Sequence, residues 1–357
     1  MKKFLIINPF GIGDVLFTTP LIRAIRDFIP DALIGYWCNQ RVKDLFINNP
    51  QINKVFAFSR GDLKKIYQGS WFEGLKHSMG LFLAIRKERF DCAIDFSLDH
   101  RYGLTSKLAG IKKRIGFNYK NRGVFLTEKV ALDSYRDKHI VEYYLELLKP
   151  LGLEAKNKFM ELPVSETGRA KCRAIFKANA IKDGELVVGI APGAGASWGR
   201  DAALKHWPEL NFAQLAQRLM QELGARVLIL GDESERPIAD IIVYASENKP
   251  IDLVGQTRLD ELISLMDKVN LLVTNDGGLL HIAAALGKKT VSFFGPVDPK
   301  VYGPYPPDES RHIVLKKPLD CSPCYNNFRL QHCDKPRECL RSISVDDAYA
   351  AVKSLLT

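Results

Sequence analysis

Short apolar runs alternate along the chain with stretches whose apolar residues fall at helical spacing. In the first half the runs are Phe4 to Ile7, Leu33 to Trp37, Val55 to Phe58 and Cys92 to Phe96. Between them, Leu16, Thr19, Leu21, Ile25 and Phe28 predict one helical face, and Leu81, Phe82, Ile85 and Phe90 predict another. This is the βα alternation of a parallel sheet covered by helices. The pattern restarts after a polar connection near residues 154 to 183. Val187 to Ile190, Val227 to Leu230, Leu271 to Val273 and Thr290 to Phe294 then predict a second set of strands. A chain of 357 residues is also too long for one typical core. The pattern predicts an α/β protein with two Rossmann-like domains, residues 1–165 and 166–342, facing a central cleft. Val345 to Leu356 is expected to form a closing helix, within residues 343–357, that returns toward the N-terminal domain.

The most informative stretch is Thr274-Asn275-Asp276-Gly277-Gly278-Leu279-Leu280-His281. A buried strand runs into two glycines, and Leu279, Ile282, Ala283 and Leu286 follow at helical spacing. Gly277 and Gly278 let the backbone approach a ligand, and the helix's first N–H groups and dipole favour an anion there. His281 adds a possible donor in the first turn. An ordinary strand-to-helix connection is the alternative.

Charge narrows the partners. The net +10 lies wholly in residues 1–165, which carry 27 Lys plus Arg against 17 Asp plus Glu, while the rest of the chain is balanced. A one-sided positive field attracts nucleic acid, an anionic lipid surface or a phosphorylated glycan, or is simply a soluble basic face. No aromatic-rich recognition motif accompanies it, so nucleic acid is not expected as a partner. The start, Met1 to Pro9, lacks the sustained apolar region and cleavage site of a signal peptide. No stretch approaches the ~20 apolar residues that span a bilayer. A cytoplasmic protein is expected.

Taken together, Gly11-Ile12-Gly13-Asp14, Lys205-His206-Trp207-Pro208, Gly231-Asp232-Glu233-Ser234-Glu235, the Asp276 to His281 turn and Phe294-Gly295-Pro296-x-Asp298-Pro299 form one ordered set. In this set the chain resembles the ADP-heptose:lipopolysaccharide heptosyltransferases, family 9 glycosyltransferases of the two-domain GT-B fold. The resemblance implies inverting transfer of a heptose or related sugar from a nucleoside diphosphate, ADP-heptose by family pattern, to a lipopolysaccharide core-type acceptor. It implies no cofactor and no catalytic metal. It also implies an anionic lipid-linked glycan acceptor and peripheral contact with the inner face of the cytoplasmic membrane.

Residue by residue, the resemblance makes Asp14 the general base. A carboxylate at the carboxyl end of a strand suits removal of an acceptor hydroxyl's proton, and an N-cap for a helix beginning at Val15 is the alternative. Lys205 resembles the family's phosphate-contacting lysine, where an ammonium offsets charge on the leaving diphosphate; a solvated lysine is the alternative. Glu235 matches the acid that receives the ribose hydroxyls, with Glu233 nearby as a second candidate. Asp276, Gly278 and His281 match the donor motif, but Gly277 stands where the family commonly has a hydroxyl residue. The glycine-rich loop Pro192 to Trp198 is longer than the family's usual version.

Arg60 and Lys64, with Lys65, Lys76, Lys120 and Arg122, are the expected acceptor-side cations. Trp71, Phe72, Leu75, Met79 and Phe82 interleave with them, and either touch lipid or pack a helix on the domain. Cys321, Cys324, Cys333 and Cys339 follow a C-x2-C-x8-C-x5-C spacing. Four thiolates can hold a structural zinc; free thiols or a labile disulfide are the alternatives. Other classes remain open at this point. One is a nicotinamide-dependent oxidoreductase, which the missing third glycine after Gly11 and Gly13 argues against. Another is a non-catalytic sugar-nucleotide-binding relative.

Overall fold

Each half of the chain carries one sheet of six parallel strands. The structure, a computed structural model, describes residues 2–46, 48–59 and 68–357, with Ala196, Ser197 and Arg200 described in their backbone only. In the first half the strands are β1 (Lys3–Asn8), β2 (Leu33–Asn39), β3 (Lys54–Phe58), β4 (Cys92–Asp95), β5 (Lys113–Tyr119) and β6 (Glu128–Leu132), in the order β3-β2-β1-β4-β5-β6. In the second half they are β7 (Val187–Ala191), β8 (Arg226–Ile229), β9 (Ile251–Asp252), β10 (Leu271–Asn275), β11 (Lys289–Phe293) and β12 (His312–Leu315). Their order, β12-β11-β10-β7-β8-β9, is the same topology counted from the first strand of its own half. A short antiparallel hairpin, β13 (Tyr325–Asn326) with β14 (Arg329–Leu330), follows.

β7 and β10 are buried along their whole length, as is β4, which is the burial expected when helices cover both faces of a parallel sheet. The strand order reverses between β1 and β4 in one sheet and between β7 and β10 in the other. In open α/β sheets, ligands bind outside the carboxyl ends of the strands at such a reversal. The loops leaving these four strands are therefore where function is expected.

The chain divides into two compact units, Met1–Phe159 and Met160–Thr357, a boundary six residues before the expected one. The Val345–Leu356 helix, expected to return toward the N-terminal domain, has its apolar face in the core of the second unit. Ala348, Tyr349, Ala351, Val352 and Leu355 are buried there with Trp207, Phe212 and Phe293. Ser344 and Asp347 close its start with a capping box.

Candidate active site

In the first unit, β1 ends at Asn8 and the chain turns into a short helix, Ile12–Leu16, with Gly11 as its N-cap. The helix thus begins three residues earlier than the sequence pattern suggested. Asp14 is its third residue and not its cap. The Gly11 N–H donates to Asp14 Oδ2 at 3.3 Å, and Asn8 Nδ2 donates to the Asp14 carbonyl at 2.9 Å. The first bond engages the half-buried carboxylate, and the second ties the helix to the last residue of β1. Two buried phenols stand in its field: burial raises the Tyr36 and Tyr135 hydroxyls well above their usual range, and the charge on Asp14 adds to both shifts. They stay protonated beside an acid.

Across the reversal point in the same sheet, β4 ends at Asp95. The register sets Asp95 beside Ile7, one residue before the end of β1. Burial pushes the Asp95 carboxyl up to about 7 against the help of Ser97, whose backbone N–H donates to Oδ1 at 2.8 Å. Asp95, Asp99, His100, Phe117, Arg122 and Phe125 line a small depression there. Asp95 was not singled out in the sequence, where it reads as the last residue of an apolar strand. Of the expected acceptor-side cations, Arg60, Lys64 and Lys65 lie outside the described residues. Lys76, Lys120 and Arg122 are exposed.

The second unit gathers the donor-motif residues around one buried amide. Asn275, the last residue of β10, accepts from the Trp207 backbone N–H at 2.9 Å and donates through Nδ2 to the Pro192 carbonyl at 2.5 Å. It therefore ties together the three loops that carry Lys205, the Pro192 to Trp198 glycines and the Asp276 turn. Trp207 fixes the other side: it is fully buried, stacks on Phe293 at 4.2 Å between ring centres, and donates through Nε1 to the Ile343 carbonyl. Asn275 lay inside the Thr274 to His281 stretch but had no assigned role.

Lys205 Nζ stands 2.7 Å from Asp276 Oδ2, with both side chains buried, and 4.6 Å above the Trp198 ring. The contact is an ion pair rather than a directed hydrogen bond. Burial, a carboxylate and an aromatic face hold this lysine in place, so it is not the solvated residue of the alternative reading. Arg337 Nη1 donates to the carbonyls of Ala203 and His206 on either side of it. Tyr325 of the β13 hairpin packs on Trp198 at 4.8 Å.

Asp276 leads into the Gly278–Ala285 helix, whose N-cap, Gly277, offers no capping side chain. The helix start therefore lacks a side-chain acceptor of its own. His281 is its fourth residue and is buried. Gly277 has a local reason: a Cβ there would lie 3.0 to 3.2 Å from the backbone of Ala194. The longer glycine loop occupies the space a side chain would need.

Glu235 is buried beneath that same loop. Oε1 accepts from the Gly195 N–H at 3.2 Å and Oε2 from the Asp232 N–H at 3.1 Å. A Cβ on Gly193 would lie 1.6 Å from Oε1, so a side chain there would displace the carboxylate. Burial raises the Glu235 carboxyl, with Asp232 adding to the rise and the two backbone bonds opposing it. Glu235 thus organises the glycine loop, a role the sequence did not indicate. Glu233, the second candidate, is exposed.

The cysteine segment clasps this site from the side. The Cys324 N–H donates to the Pro296 carbonyl, Ser322 Oγ to the Gly295 carbonyl, and Cys339 Sγ fills the space over Gly295. All four thiols are free, and burial pushes Cys339 up to about 11. Among the described residues no three His, Cys, Asp or Glu side chains are grouped to hold a metal ion, although Cys324, Cys333 and Cys321 all stand within the field of Cys339.

Residues 79–333 match the model of glycosyltransferase family 9 (heptosyltransferase). Lipopolysaccharide heptosyltransferase 2 of Escherichia coli K12 is 26% identical over 308 residues, covering 83% of this chain and 84% of that protein. Lipopolysaccharide heptosyltransferase 3 of the same strain is 26% identical over 350 residues, covering 96% and 95%. Among solved structures, E. coli ADP-heptose lipopolysaccharide heptosyltransferase II superposes with a TM-score of 0.76 at 23% identity, covering 100% of this chain and 98% of the other. A family 9 glycosyl transferase from Veillonella parvula superposes with a TM-score of 0.82 at 22% identity, covering 99% and 97%. The fold is that of the GT-B heptosyltransferases, and the matched residues include every donor-motif side chain described above. The chain belongs to glycosyltransferase family 9, the heptosyltransferase family.

Proposed function

We propose that this protein transfers a heptose from ADP-heptose to a lipopolysaccharide core-type acceptor, with inversion at the anomeric carbon. The observation that carries the reading is the buried Lys205–Asp276 pair at the start of the Gly278–Ala285 helix, at the reversal point of the second sheet. An ammonium and a helix N-terminus together suit a diphosphate. The names of the relatives support the sugar and the acceptor.

In the proposed reaction, an acceptor hydroxyl oxygen attacks the anomeric carbon from the face opposite the diphosphate. The bond from that carbon to the diphosphate oxygen breaks, and its electron pair leaves with the diphosphate. Asp14 takes the hydroxyl proton. Lys205 and the first N–H groups of the helix offset the charge on the leaving group, so a divalent ion is not needed for that task. Asp276 keeps Lys205 in position, and Glu235 shapes the glycine loop and offers its remaining lone pairs to the ribose. The enzyme is proposed to work at the inner face of the cytoplasmic membrane.

The test is transfer of labelled heptose from ADP-heptose to a heptose-deficient core, with and without EDTA. Transfer unaffected by EDTA is expected. Donor binding without transfer would point to a non-catalytic relative, and tight nicotinamide binding to an oxidoreductase.

A further inference from the structure

The Trp71–Glu88 helix carries apolar residues that the domain covers and others that it leaves uncovered. Gly74 and Ile85 are buried, and Leu81 and Phe82 pack against the core formed by Leu5, Ile7, Trp37, Phe56 and Phe90. Trp71 (68% exposed), Phe72 (69%), Leu75, Met79 and Leu83 are exposed. At 3.6 residues per turn these five fall within an arc of about 120°, which Phe82 shares at the point where the core covers it. Single exposed apolar residues are ordinary, but five on one stripe form a patch that marks an interaction surface. Packing a helix on the domain therefore accounts for Phe82 and not for Trp71, Phe72, Leu75 or Met79.

We propose that this stripe docks the N-terminal unit on an anionic lipid bilayer. By helical position, Lys76 and Lys87 border the stripe and Arg86 lies at its far end; Glu73 stands 3.9 Å from Lys76, and His77 and Glu88 fall elsewhere on the helix. The surrounding half of the chain holds all the excess positive charge. Apolar and aromatic side chains that enter the interface, with cations at headgroup level, are the two attractions that hold a helix on anionic lipid. Among the described residues no helix is long and apolar enough to cross a membrane, so the contact is with the surface. A second copy of the chain fits less well, because a self-complementary contact through this face would set its bordering lysines against each other. The proposal deepens the reading of the acceptor as lipid-linked, and it is tested without catalysis.

The experiment is co-flotation of the full chain with vesicles of phosphatidylcholine alone or with about 30 mol % phosphatidylglycerol. Trp71→Ser/Phe72→Ser/Leu75→Ser and Lys76→Gln/Lys87→Gln are compared with the wild type. Wild type is expected to bind the anionic vesicles, and the apolar triple variant to lose at least about tenfold in partitioning. The lysine variant should lose only the preference for anionic over neutral vesicles. Circular dichroism should match wild type in both, and transfer to a delipidated acceptor should match it in the apolar triple variant. Failure of the wild type to float, or a triple variant that floats like wild type, overturns the proposal. So does a wild-type dimer, abolished in the triple variant, with no lipid binding. Loss of transfer to the delipidated acceptor in the wild type would instead count against the glycosyltransferase reading, and leaves the flotation result standing.

Discussion

Lys205 Nζ lies 2.7 Å from Asp276 Oδ2, and the two buried side chains come from loops that a single amide, Asn275, joins. Removing one partner of a buried pair leaves the other uncompensated, at a cost of about 3 to 5 kcal/mol. Lys205→Ala is therefore expected to lower stability as well as kcat/KM, the latter by about 100-fold or more. Lys205→Ala/Asp276→Asn should recover much of the stability without recovering activity. Thermal unfolding and steady-state kinetics separate the two effects. Full activity in the double variant would remove Lys205 from the reaction.

Gly277 can be tested by restoring the hydroxyl residue usual in the family. Serine is a preferred N-cap, worth about 1 kcal/mol. Its Cβ, however, would press on the Ala194 backbone. That backbone is held by Asn275 on one side and Glu235 on the other, so it has little room to give. Crowding of this kind costs about 1 to 3 kcal/mol. Gly277→Ser is expected to lower the melting temperature and weaken donor binding. A rise in both would show that the loop yields.

Asn275→Ala removes three hydrogen bonds from buried partners, the Trp207 N–H and the Pro192 and Gly193 carbonyls. Each orphaned group costs about 1 to 3 kcal/mol. The donor KM should rise severalfold as both loops loosen. Hydrogen exchange is expected to speed at Trp207 and in the Pro192 to Gly195 loop; unchanged exchange there would rule out the anchoring role.

Asp95 makes stability depend on pH. Its folded carboxyl is raised to about 7 from the ordinary 3.8, so between those values the folded chain keeps a proton that the unfolded chain has released. Its contribution is fully present below the ordinary value and is lost as pH rises through about 7, with a slope of up to about 1.4 kcal/mol per pH unit. Asp95→Asn should flatten that slope, and denaturant unfolding between acid and neutral pH measures it. An unchanged slope would place the titration elsewhere.

Much of this architecture was legible in the chain. Each of the eight apolar runs marks a strand, three of them ending one residue past it, because strands buried on both faces are apolar without interruption. β5 (KRIGFNY) and β6 (EKVAL) were not recognised, since polar residues interrupt them, and β9 and β12 are short edge strands. At the site, Lys205 and Asp276 were legible as motif members but their pairing was not, because 70 intervening residues separate them. The part played by Asn275 and the engagement of Glu235 by the glycine loop depend on which backbone groups meet in space. A motif does not state that. Gly277 was legible as a departure, and its cause became visible only with Ala194 beside it.

The central claim is glycosyl transfer with Asp14 as the base. Asp14→Asn keeps the size of the side chain and an acceptor oxygen for the Gly11 N–H, but cannot take a proton. The decisive measurement is its single-turnover transfer rate from ADP-heptose to a heptose-deficient core, alongside donor affinity by calorimetry. The account predicts a fall of about 100-fold or more in rate with donor affinity unchanged. Transfer at the wild-type rate with intact donor binding would contradict it.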